Sequence, residues 1–268
     1  MSSRHNTEGI CLRRVDYSET SQVATFLVPD AGRPGFIAKG AKRAPKKGIK
    51  RGFDLLCRYE LSYTRRPHGS LHNLLNWQLV ESFQGIRSSL ERIMHGYAAT
   101  ELMLNFAIEE QPCPHLYSTF LDTLRRFASG RDCGTALLLL EMETLRLDGT
   151  LPRFTECGHC GAEVSGPGQV LFSALEGGPI CERCGRDRTL RRAGILKVDG
   201  AHLSIAGRLA RRRSIDPAKL KLTAEQVGGI SRVLRHHIQF LLGKKLRTWP
   251  YLEPSALPRL FERVRRAG

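Results

Sequence analysis

"ICLRRVDYSETSQVATFLVPDAGRPGFIAK", Ile10 to Lys39, breaks its apolar runs every few residues with Gly, Pro or Asp. Runs this short, bounded by turn formers, read as strands, because an amphipathic helix needs its apolar stripe sustained over about three turns. The stretch divides into strands at Ile10–Val15, Gln22–Val28 and Gly35–Lys39, with "PDAGRPG" as the turn between the second and third. Pro34 enters the third strand, where proline is tolerated only at an edge or a first position. The signature continues at Phe53–Thr64 and Asn73–Val80, joined by "RRPHGS". Five short strands in so little chain predict a small closed or nearly closed barrel. The OB-fold is the commonest nucleic-acid binder of that kind, and an SH3-like barrel would read much the same.

After Phe83 the period changes. Ile86, Leu90, Ile93, Met94, Tyr97 and Leu102 follow helical spacing until Pro112 and Pro114 stop the run. Further helices are predicted over Pro114–Ala128, Thr135–Leu147, Ser204–Arg212, Thr223–Leu242 and Ser255–Arg265, with Ser204, Thr223 and Ser255 as N-caps. The helix at Thr135–Leu147 is apolar almost all round in its first half and should lie central in a bundle. Its Glu141 and Glu143 then require a basic partner, for which Arg125 and Arg146 are the candidates. His236 and His237 read as surface or packing histidines. The fold class is therefore α+β: a five-stranded OB-fold barrel at 1–81, then a helical domain at 82–268 interrupted by a Gly- and Cys-rich insert at about 154–188.

Within that insert, "CGHC" (Cys157, Cys160) and "CERC" (Cys181, Cys184) form two C-x-x-C pairs about twenty residues apart, each followed by glycine (Gly161, Gly185). Two-residue spacing lets both sulfurs of a knuckle reach one ion, and the glycine lets the backbone turn its N–H groups toward the thiolates. Four thiolates fill a tetrahedral Zn²⁺ site with no position left for water, so a zinc held here would be structural. A redox dithiol would leave the second pair unexplained, and a zinc deaminase needs H-x-E with P-C-x-x-C, which this chain lacks. His159, between ligands, is a lesser alternative donor. Cys11, Cys57, Cys113 and Cys133 are isolated and read as buried free thiols.

Lys and Arg number 42 against 26 Asp and Glu, a net charge of +16, which points to a polyanionic partner and first to nucleic acid. The charge is uneven. "GFIAKGAKRAPKKGIKRG", Gly35 to Gly52, carries Lys39, Lys42, Arg43, Lys46, Lys47, Lys50 and Arg51 with no acid, and Arg211, Arg212 and Arg213 form a second cluster. No apolar run approaches a membrane span, and the start of the chain lacks a secretory pattern, so the expected setting is cytoplasmic. Carboxylates are scattered, there is no D-x-D or H-E-x-x-H, and the Gly-Lys segment at 35–39 is not a phosphate loop. The sequence thus offers no catalytic constellation and reads as a binding protein.

"LRRVDYSETSQVATFLVPDAGRPGFIAKGAKR" resembles the opening of the RecO recombination mediator family, above all in Ala38-Lys39-Gly40-Ala41-Lys42-Arg43. The helical region, the paired C-x-x-C knuckles and the late basic segment "RHHIQFLLGKKLRTWPYL" follow in the order that family shows. The resemblance implies an OB-fold followed by a helical domain with a zinc element, acting in bacterial recombinational repair at the nucleoid. It implies binding to single- and double-stranded DNA, annealing of complementary strands, and work with RecR and the single-strand-binding protein to load the recombinase on gapped DNA. Lys39, Lys42 and Arg43 would inherit the family's DNA contacts, and Arg211 to Arg213 those of a basic helix after the zinc element. A zinc-ribbon protein that binds RNA or serves transcription is the alternative that shares the knuckles and the charge.

Overall fold

A computed structural model describes residues 4–42, 52–65, 71–164, 166–187, 194–212 and 219–252. By compactness the chain divides into Met1–Arg131 with Thr248–Gly268, and Asp132–Arg247. The change of period near residue 82 marks where strands give way to helices, and the first two helices fall in the same unit as the strands.

In the first unit β1 (Arg4–Asp16), β2 (Gln22–Leu27), β3 (Gly35–Ala38), β4 (Arg58–Thr64) and β5 (His72–Glu81) close into a barrel in the order β1-β2-β3-β5-β4. All pairs are antiparallel except β3 with β5. Closure leaves no unpaired edge. The arrangement is OB-like, as the sequence predicts, although β1 reaches back to Arg4 and β4 starts only at Arg58. Phe53 is fully buried without being in a strand. Leu56 turns the chain at φ 61°, and Phe53 stacks edge-on against Phe26 and Tyr59 with ring centres 5.2 and 5.5 Å apart. Its aromatic signal marks core, which sequence patterning mistakes for strand. Pro34 sits one residue ahead of β3, where its carbonyl accepts the Phe26 N–H at 3.2 Å, so the strand meets no proline inside it.

A 3₁₀ turn at Gln84–Ser88 carries Ile86, and α1 (Leu90–Phe106) begins after it, capped by the Ser89 hydroxyl, which accepts from the Arg92 N–H. In α2 (Pro114–Ser129) proline takes the first position, where its missing N–H costs nothing. Leu116, Phe120, Leu124 and Phe127 make its buried stripe. Arg125 answers Glu81 at 3.2 Å. The Glu101 carboxylate of α1 accepts the Thr248 N–H at 2.9 Å, which ties the late segment to this unit.

The second unit centres on α3 (Cys133–Leu147), whose Leu137, Leu138, Leu140 and Leu145 are fully buried. Glu141 is equally buried, and its partner is Arg235 at 2.9 Å rather than Arg125 or Arg146, a pairing across 94 residues that local spacing could not reveal. Arg146 pairs with Glu143. The insert adds a three-stranded antiparallel sheet, β6 (Gln169–Ser173), β7 (Gly178–Ile180) and β8 (Ile195–Asp199), in the order β7-β6-β8, with the short α4 (Glu182–Gly185) between β7 and β8. α5 (Gly200–Ala210) is capped by Asp199, whose carboxylate accepts from Ala201, and Ser204 lies one turn inside with its hydroxyl donating to the Gly200 carbonyl. α6 (Ala224–Leu242) opens on Thr223 with a complete capping box to Gln226. His237 is buried with Nε2 2.9 Å from the Thr150 carbonyl, and His236 Nε2 lies 2.8 Å from that of Gly194, so both serve packing. The predicted helix at Ser255–Arg265 lies outside the described residues.

Candidate nucleic-acid interface and metal centre

The basic segment leaves the barrel after β3 and returns before β4, and its two ends are fastened together. The Gly52 N–H donates to the Ala41 carbonyl at 2.8 Å, and the Lys42 N–H donates to the Thr20 carbonyl at 3.0 Å. Gln22 reinforces the join: its Oε1 accepts the Phe53 N–H at 3.1 Å, and its Nε2 donates to Asp16 Oδ1 at 2.9 Å. Gly52 is required there. Its φ is 69°, and a Cβ would lie 2.4 Å from Gln22 Oε1. The chain between Ala41 and Gly52 must therefore leave and return at one point on the barrel.

Lys39 is exposed and makes no ion pair among the described residues. Lys42 is engaged, its Nζ 3.0 Å from Asp16 Oδ2. Hydrogen bonds from Gln22 and then from Lys42 hold the Asp16 carboxyl below the usual carboxylate range. Arg43, Lys46, Lys47, Lys50, Arg51 and Arg213 lie outside the described residues. Arg211 and Arg212 follow the end of α5 with exposed side chains, in the other compact unit from Lys39 and Lys42. Of the aromatic residues on the barrel strands, Tyr59 and Tyr63 are buried and Trp77 packs on Phe53. The exposed aromatic beside this region is Tyr17, at 68%, in the turn between β1 and β2. Its signal in the sequence is an aromatic residue in an otherwise polar turn.

The four knuckle cysteines converge, all sulfurs within 4.8 Å of one another. Cys160 and Cys181 sulfurs stand 3.7 Å apart, too far for a disulfide. The edge of a tetrahedron with metal–sulfur bonds of about 2.3 Å is about 3.8 Å, so the separation is that of two ligands on one ion. The Cys157 N–H donates to Ala162 at 2.7 Å and the Gly161 N–H to Cys157 at 2.9 Å. Gly161 adopts φ 74°, as the knuckle requires, whereas Gly185 is helical at the end of α4 and makes no such turn. A small apolar cluster of Ile180, Leu171 and Val164 surrounds the buried Cys157 and Cys184. His159 turns to Glu176, Nδ1 to Oε2 at 3.3 Å, and is not among the converging ligands.

The protonation pattern suits a cation. The backbone N–H of Ala162, with the neighbouring sulfurs, pulls the Cys160 thiol down to about 6. Burial raises Cys157, but the N–H groups of Cys181, Cys160 and His159 outweigh it and hold that thiol below its ordinary value. Burial and the other sulfurs push Cys184 up to about 12. Repulsion among the sulfurs opposes ionising all four together, and a divalent ion at their centre would remove that opposition. The donor set fits zinc: four soft sulfurs in a closed tetrahedral arrangement. Sequence spacing did not disclose Arg183, whose charge is favoured by the nearby Cys160 and Cys184 sulfurs, or Gln22, which clamps the loop stem. Cys11, Cys57, Cys113 and Cys133 form no disulfide, and Cys113 is half-buried rather than buried.

Family comparison agrees with this geometry. The N-terminal model of Recombination protein O matches residues 1–83 and the C-terminal model matches 87–250. The chain belongs to the Recombination protein O family. Relatives named DNA repair protein RecO include one from Bacillus pumilus, 32% identical over 180 residues covering 66% of this chain and 67% of that protein. Another, from Anaeromyxobacter dehalogenans, is 29% identical over 259 residues, 93% of this chain and 96% of its own length. A third, from Anaeromyxobacter sp. (strain K), is 30% identical over 254 residues, 91% and 94% respectively. The RecO resemblance read along nearly the whole sequence is thus matched in both domains. No helix among the described residues is long and apolar enough to cross a membrane.

Proposed function

We propose that this chain is a DNA repair protein that works without bond chemistry, as a recombination mediator. It binds single- and double-stranded DNA without reading sequence, brings complementary strands together, and with RecR and the single-strand-binding protein helps the recombinase onto gapped DNA in the bacterial cytoplasm. The observation that carries the reading is the basic segment fastened at Ala41 and Gly52 to an OB-like barrel. Lys39, Lys42, Arg43, Lys46, Lys47, Lys50 and Arg51 lie along phosphates, displacing counterions, and Arg211 to Arg213 supply a second surface in the other unit. Two cationic surfaces on one molecule can hold two strands and raise their effective concentration. Cys157, Cys160, Cys181 and Cys184 hold one structural zinc that fixes the insert.

The test is annealing of two complementary labelled oligonucleotides at low and moderate salt. The wild type is compared with a variant whose Lys39, Lys42, Arg43, Lys46 and Lys47 are changed to Ala. Annealing by the wild type and its loss in a folded variant is the expected result. Failure of both to anneal, with tight RNA binding by both, would replace this reading with a zinc-ribbon RNA binder.

A further inference from the structure

Strand register aligns Val15, Val23 and Ile37 in one row across β1, β2 and β3. The adjacent row runs through Ala24 and Phe36, which are 1% and 0% exposed, so it faces the barrel interior and the valine–isoleucine row faces out. Val15 is 47% exposed. The row ends beside the β1–β2 turn, and there Tyr17, Ile37 and Lys39, with the hydroxyl side chains of Ser18, Thr20 and Ser21, line a groove of about 300 Å³. That is the lower end of the volumes that hold small ligands.

Tyr17 is not needed to hold the turn. The backbone and Ser18 do that, the Tyr17 N–H donating to the Ser21 carbonyl at 3.0 Å and the Ser21 N–H to the Ser18 hydroxyl at 3.1 Å. Its ring packs on no other ring among the described residues. Lys39 lines the same groove, and further along the same outer face Arg13 is exposed opposite Thr25. Of the two acids nearby, Asp16 is neutralised by Lys42 at 3.0 Å, which leaves Glu19.

We propose that Tyr17, with the Val15–Val23–Ile37 row, is a stacking platform for an unpaired base of single-stranded DNA, Lys39 holding the adjoining phosphate. The inference rests on the DNA-binding reading above and adds what charge alone does not supply, a preference for unpaired over paired strands. Bases in a duplex already stack on one another, whereas a splayed base gains a partner here. The hydroxyls lining the groove can accept or donate to a base edge or phosphate, which leaves the platform tolerant of sequence.

The experiment measures affinity by fluorescence anisotropy for an oligothymidylate, an abasic strand of equal length and charge, and a duplex. The wild type is expected to bind oligothymidylate about tenfold tighter than the abasic strand. Tyr17→Ala should erase that difference while leaving abasic and duplex binding within about twofold, and Tyr17→Phe should restore it. Equal wild-type affinity for thymidylate and abasic strands overturns the platform while leaving electrostatic DNA binding intact, and needs no variant to fold. A Tyr17→Ala chain that keeps its preference also overturns it. Absence of wild-type binding to any of the three removes both the platform and the DNA-binding reading.

Discussion

Between Gly35 and Gly52 the chain sets seven cations and no acid, while the knuckles gather four ionisable sulfurs within 4.8 Å. Both regions concentrate groups of one sign, and both repel themselves until a counter-charge arrives. They differ in where the repulsion is borne. The cations belong to a segment joined to the barrel at one point, so their discharge need not alter the barrel core. Cys157, Cys181 and Cys184 pack in a small apolar cluster with Leu171 of β6 and Ile180 of β7 while Cys160 is exposed, so the counter-ion of the sulfurs is part of the packing. Function that depends on loop charge should therefore separate from stability, and function that depends on the thiolates should not.

The sharpest way to break this contrast is Cys184→Ser. We expect bound zinc, measured by atomic absorption, to fall from about one per chain to none, with loss of the insert's fold and several kcal/mol of stability. A variant without metal that melts like the wild type would show the knuckles to be as dispensable to folding as the loop. A buried pair of unlike charge gives an intermediate case. Arg235→Ala leaves the fully buried Glu141 without its 2.9 Å partner and should cost about 3–5 kcal/mol in denaturant unfolding. The five-alanine loop variant should instead unfold within about 0.5 kcal/mol of the wild type. Its slope of log affinity against log salt on single strands should be shallower by about 0.7 for each phosphate it no longer neutralises.

How much of this was legible in sequence follows the range of the forces involved. The five barrel strands, the Thr223 cap and the C-x-x-C knuckles are written in spacings of a few residues, and all are present, although β1 starts earlier and β4 later than patterning put them. The Glu141–Arg235 pair joins residues 94 apart, and the clamp from Gln22 to Phe53 joins residues 31 apart, so neither leaves a local trace. Phe53 misled because burial and strand formation favour the same residue types. Asp199 displaced Ser204 as cap because both are good cap residues and β8 fixes where α5 starts.

Smaller effects refine the comparison. Burial lowers the His237 pKa from its ordinary 6.5, although its hydrogen bond to Thr150 opposes the shift. The unfolded chain thus takes up this proton first on acidification. The resulting stability is present above about pH 6.5 and is lost as pH falls from there through the lowered value. Melting at pH 7.5 and 5.5 should show that decline, flattened in His237→Gln; an unchanged decline in the variant would assign it to other groups. The least effect is expected from Asp16→Asn, which frees Lys42 from its ion pair. DNA affinity in low salt should rise about two- to threefold, and a fall would show that the pair positions Lys42 for binding.

The bond from Gly52 to Ala41 also makes the loop indifferent to its own length. Doubling a flexible loop costs only about 0.6 kcal/mol in closure entropy. Nine residues separate Lys42 from Gly52, and nine residues of any chain run out and back span at most about 15 Å, nearly two Debye lengths at physiological salt. On the DNA-binding reading, capture radius is thereby a heritable dimension that insertions and deletions can tune residue by residue, with the barrel core left as it is.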